Sequence, residues 1–92
     1  MKYVSLRTAM REIGLTEIKI SNGYYEQSGF GKDSSGQVWY VNTGDWRLRQ
    51  GNSSCKTLIR RARDYKDYVG GLNEYWMDDK LAEKGLAIAP KA

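Results

Sequence analysis

The 92-residue chain has no histidine and a single cysteine, Cys55, and those two counts remove most of the chemistry open to a small protein. Without histidine, the commonest general base and metal ligand is missing. Ser-His-Asp and Cys-His nucleophiles cannot be assembled, and one thiol does not make a zinc site. Cys55 stands at an expected helix start, where a thiolate is stabilised, yet it also falls on an apolar stripe, and packing is the stronger reading. The carboxylates left for acid–base or metal work are Glu74 and Asp78, one helical turn apart, with Asp79 and Glu83 behind them; a solvated acidic helix face accounts for all four. Gly29-Phe30-Gly31-Lys32 imitates two motifs. A phosphate loop needs Gly-Lys-Ser/Thr opening a helix, but Asp33 follows Lys32. An RNA-recognition strand needs an alternating aromatic continuation that Lys32-Asp33-Ser34-Ser35 does not supply. The expectation is a non-enzymatic chain with no catalytic residue, no metal and no cofactor.

What the residues do offer is a concentration of cations. The net charge is +4, but between Arg47 and Lys66 seven cations face one acid, Asp64, while the remainder holds eight basic and ten acidic residues. Such a local surplus is the pattern of an anion-binding patch. Arg47, Arg49, Lys56, Arg60, Arg61 and Arg63 are the binding candidates. Arginine forks suit phosphates and carboxylates alike, so nucleic-acid backbone and an acidic protein groove both qualify as partners. If residues 53–69 are helical, Lys56, Arg60 and Arg63 share a stripe opposite the apolar face. The Arg60–Asp64 and Arg63–Asp67 pairs then place the cation first, the poorer orientation, and early cations oppose the helix dipole. Local rules broken without structural gain point to function. Both arginines should then tolerate reversal to glutamate. Tyr24 and Trp39 are candidates for stacking on bases; Val38-Trp39-Tyr40-Val41 is apolar on both faces, so either both are covered or one is offered to a partner.

The elements that would position these residues follow from periodicity. Ser5 caps a helix running to Ile13, with Leu6, Met10 and Ile13 on one face and Gly14 turning Leu15 back onto Met10. Residues 17–21 alternate as a strand, and Asn22-Gly23 signals a two-residue hairpin turn pairing Ile20 with Tyr25 and Lys19 with Glu26. Residues 37–41 form a third strand and 46–49 a short fourth. Cys55, Leu58, Ile59, Ala62, Tyr65 and Val69 follow helical spacing up to Gly70-Gly71. Residues 72–84 read as a further helix, with Leu72, Tyr75, Trp76 and Leu81 packing and Gly85 as its stop. The fold class is α+β: a short N-terminal helix, a three-stranded antiparallel meander extendable to four, then two C-terminal helices packed on the sheet. Residues 1–92 make one domain, and 86–92, with the only proline, read as a looser tail.

Apolar residues at 40% and charged residues at 28% fit a folded chain. No apolar run approaches the ~20 residues of a membrane span, the N-terminus lacks a signal-peptide core, and a lone cysteine fits a reducing compartment. A cytoplasmic setting is expected, with no membrane partner and no small-molecule substrate.

Two resemblances follow. Residues 5 to 69, read as helix, three strands and a helix opening with basic residues, resemble the double-stranded-RNA-binding domain in order and length. That implies a stand-alone nucleic-acid-binding module in which Lys56, Arg60 and Arg61 meet phosphates. The whole chain, from Met1 to Ala92, is also similar to the small phage-encoded anti-CRISPR inhibitors of type I-F complexes, through its size, its self-contained α+β build, its lack of catalytic groups and its charged patch. This leading resemblance implies an inhibitor that docks on a Cas protein–crRNA complex in the host bacterium and blocks target DNA hybridisation.

Overall fold

The computed structural model describes residues 1–49 and 56–89, apart from the side chains of Leu48 and Arg49. Its centre is a five-stranded antiparallel sheet whose strands lie in chain order: β2 (Thr16–Asn22), β3 (Gln27–Lys32), β4 (Val38–Asn42), β5 (Leu58–Ala62) and β6 (Tyr75–Trp76). A separate parallel pair joins β1 (Lys2–Val4) to β7 (Leu86–Ile88). The helices are α1 (Leu6–Glu12), a single turn α2 (Trp46–Arg49), and α3 (Met77–Ala82). No helix among the described residues is long and apolar enough to cross a membrane.

α1 forms where the capping residues direct it. The Ser5 hydroxyl accepts from the Thr8 amide at 3.1 Å, and Gly14, at φ 99°, lets the Leu15 amide donate back to the Met10 carbonyl at 3.0 Å. Gly29 and Gly31 on β3 then admit α1 and its exit. A Cβ on Gly29 would lie 2.9 Å from the Met10 sulfur, and one on Gly31 would lie 3.1 Å from the Leu15 Cβ.

The β3–β4 hairpin turns on Asp33. Its carboxylate accepts from the Ser35 hydroxyl and amide, the Gln37 amide and the Trp39 indole, while Gly36 takes φ 88°. These bonds, led by the Ser35 hydroxyl and then Trp39, hold Asp33 down at a pKa of about 2.

Several sequence expectations are corrected here. Residues 58–62, expected in the second helix, are the strand between β4 and β6, with Tyr40 opposite Arg60 and Val41 opposite Ile59. The α+β class stands, but one C-terminal helix replaces two. Apolar residues on both faces of β5 erase the alternation that marks a half-buried strand and leave a spacing that imitates a helix. The expected fourth strand, 46–49, is α2. The expected third helix is confined to Met77–Ala82, because 72–76 run extended to reach β5, leaving Leu72 90% exposed. The hairpin at Asn22-Gly23 pairs Asn22 with Gln27 and Ile20 with Gly29, so Gly23 to Glu26 form a four-residue loop. Neither Asn22 nor Gly23 takes the positive φ of a two-residue turn of that type. The loop is drawn elsewhere, since the Tyr25 carbonyl accepts from the Trp46 amide at 2.9 Å. The tail expected to be loose includes β7, whose Ile88 is buried in the core. Cys55, the expected caps Ser53 and Ser54, and Pro90 lie outside the described residues.

Two cores result, one on each side of the sheet. On one side Val41 and Ile59 meet Leu6, Ala9 and Met10 of α1, Met77 and Leu81 of α3, and Ile88. On the other, Phe30, Val38, Tyr40 and Ala62 form a smaller cluster under the loop after β5, with Leu58 and Tyr65 against it.

Candidate interaction surface

Strand geometry decides where the expected cations go, because neighbouring side chains on β5 point to opposite faces. Arg60 is only 4% exposed. Its guanidinium lies 4.4 Å over the Tyr40 ring and donates to the Asp67 carbonyl at 2.7 Å and the Arg61 carbonyl at 3.2 Å. Arg61, on the other face, pairs with Glu74 at 3.1 Å and lies 5.2 Å over Trp39. Arg63 reaches Asp67 at 3.3 Å, with Asp67 itself buried. Its backbone amide also donates to Asp67 at 2.9 Å, and both bonds hold the Asp67 carboxyl below the usual range. Lys56 pairs with Asp79 at 2.9 Å. Arg47, on α2, grips Asp45 through two nitrogens, the shorter contact 2.6 Å. The Arg49 side chain lies outside the described residues.

The basic run is therefore divided between two faces and tied to Asp45, Asp67, Glu74 and Asp79. It is not one helical stripe, and the match of Lys56, Arg60 and Arg61 to a phosphate-binding helix falls with that helix. The acidic residues are likewise dispersed: Asp78 accepts from the Thr57 amide rather than joining its neighbours. No metal-holding group of carboxylates or cysteine occurs among the described residues.

The two stacking candidates part company. Trp39 is half-buried, its indole N–H bonded to Asp33 at 2.9 Å and Arg61 over its ring. Tyr24 is 86% exposed and meets Tyr25 edge-on, with ring centroids 4.6 Å apart. Arg47 lies flat on Tyr25 at 3.5 Å from the centroid. The hydrogen bonds with Asp45 raise the Arg47 pKa and lower that of Asp45. Tyr24, Tyr25, Glu26 and Asp45 line a shallow groove of about 250 Å³.

Sequence reasoning missed a second aromatic assembly. Phe30 contacts Tyr40, Tyr65 and Tyr68 at centroid distances of 5.1, 5.7 and 5.1 Å. The Tyr65 hydroxyl donates to the Glu17 carbonyl at 2.6 Å, and burial, then the Glu17 charge, push its pKa up. Glu17 sits at φ 51° beside the bulge in β2, which turns that carbonyl towards Tyr65. Tyr65 and Tyr68 carry a helical spacing in the sequence, so nothing there signals a loop folded over a sheet.

Comparison with models of known protein families, with curated proteins and with solved structures finds no match to this chain.

Proposed function

We propose that the chain is a non-enzymatic binding protein that engages the surface of a partner protein through Tyr24, Tyr25 and Arg47. The observation that carries this reading is Arg47 stacked 3.5 Å over Tyr25 beside the exposed Tyr24 ring. Tyrosine and arginine are the side chains in which interface affinity concentrates. An arginine already ordered by stacking and by Asp45 loses less freedom on binding. Glu26 and Asp45 in the same groove repel phosphate, which favours a protein partner over a nucleic-acid backbone. The specific form of the proposal, supported by the resemblance described above, is a phage inhibitor that docks on a Cas protein–crRNA complex in a bacterial cytoplasm and blocks target DNA hybridisation.

The test is binding of purified wild type and of the Tyr24→Ala/Arg47→Ala double variant to a purified type I-F complex and, separately, to duplex RNA. Wild type should bind the complex, and the double variant should bind at least ~10-fold more weakly, the loss expected of a small hot spot. Equal binding by both proteins would remove the cluster from the interface. Binding to duplex RNA alone would replace the inhibitor reading with the nucleic-acid one, and binding to neither would end the CRISPR form of the proposal.

A further inference from the structure

The groove between edge strand β6 and helix α3 is about 450 Å³ and is lined by Tyr75, Trp76, Asp79, Lys80 and Glu83. Trp76, Asp79, Lys80 and Glu83 follow the i, i+3, i+4, i+7 spacing that puts side chains on one helical face. Trp76 is 43% exposed, a large ring standing beside open space. Glu83 makes no hydrogen bond or ion pair. Asp79 holds Lys56, but its side chain is 63% exposed, and an exposed pair of this kind is weak enough for a second cation to share. The lining already draws a cation to an aromatic face, since the Lys80 nitrogen lies 5.2 Å from the Tyr75 ring centre. Residues 74–83 hold four acids and one lysine in a chain whose net charge is +4, so the groove is a local reversal of sign.

From this geometry we infer that the groove is a receptor for an arginine side chain presented by a partner protein. A planar guanidinium can lie on the Trp76 ring while its edge donates to the Asp79 and Glu83 carboxylates. An ammonium can only approach as a point charge. The free edge of β6 leaves room for the partner's backbone to run beside the groove. The site is independent of the Tyr24–Arg47 cluster: it takes the opposite charge, and its test uses no Cas complex.

The probe is N-acetyl-L-arginine methylamide, titrated into the isotope-labelled full chain and followed by NMR on the Trp76 indole and the amides of residues 79–83. Saturable shifts confined to these signals are expected, and the isosteric but uncharged N-acetyl-L-citrulline methylamide should produce none. Trp76→Ala should weaken binding about two- to fivefold, the size of a cation–π contact at an exposed site. Glu83→Gln, at an exposed and unpaired position, keeps the test open if Trp76→Ala disturbs β6, and it should also weaken binding. An absent response, equal shifts from citrulline, equal binding of the lysine analogue, or affinities unchanged in both variants would each overturn the assignment.

Discussion

Asp33 shows how much local structure one side chain can organise. A carboxylate held at about 2, against an ordinary 3.8, stabilises the fold only while it is ionised. Its contribution is complete above pH 4 and disappears as the pH falls from 4 towards 2. Asp33→Asn should lower the melting temperature at neutral pH and flatten the decline between pH 4 and 2. It should not abolish that decline, because Asp45 and Asp67 are held low as well. Thermal melts of both proteins across that range check the sign. Arg60 behaves unlike the solvated cation its sequence context suggests. Reversal to glutamate would bury an unpaired acid beside the Asp67 carbonyl, and Arg60→Glu is expected to cost ~3 kcal/mol or more, as when a buried charge loses its partner. Arg63→Glu, at an exposed side chain, should cost under ~1 kcal/mol. Urea denaturation of the two single variants separates them, and equal costs would mean that the stacking on Tyr40 contributes nothing.

Among the elements, β3 depends on what it lacks. Gly31→Val should cost about 2 kcal/mol through overpacking, since the added atoms meet both the Leu15 side chain and, 3.3 Å from the Cβ, the Thr16 carbonyl, which cannot swing aside. Denaturation midpoints measure this, and a neutral result would show that α1 can move off the sheet. The elements legible in the sequence were those set by their own residues, such as the Ser5 cap and the glycine exit of α1. β5 was illegible because its character depends on what covers it. Arg60 reads as a polar interruption until Tyr40 and the loop beyond Ala62 are placed on it. The hairpin at Asn22-Gly23 misled for a related reason: a strong local turn signal gave way to the tertiary bond between Tyr25 and Trp46. Of the candidate surface, Tyr24 and Arg47 could be named from the sequence, but their meeting over Tyr25 could not.

At the scale of the whole molecule, a charge surplus in one stretch of chain is not a charged patch in space. The acids that answer residues 47–63 come from positions 45, 67, 74 and 79, which only the fold brings near. The same interdependence governs unfolding. β4 and β5 each supply residues to both cores, Val41 and Ile59 to one, Tyr40 and Ala62 to the other. Neither face can open alone, so one cooperative transition is expected. Tryptophan fluorescence and far-ultraviolet circular dichroism should report the same denaturation midpoint, and separated midpoints would show that the cores melt independently.

The parallel pairing of β1 with β7 also sets how the domain meets a pulling force. The Lys2 amide donates to the Gly85 carbonyl at 3.0 Å and the Ala89 amide to the Val4 carbonyl at 2.7 Å, so the chain enters at one end of this ribbon and leaves from the other. Tension applied through the two chain ends runs along both strands in opposite directions and loads these bonds together in shear, instead of peeling them apart one at a time. A short ribbon placed this way acts as a mechanical clasp: stretched from its ends, the domain resists until the clasp fails and then gives way at once.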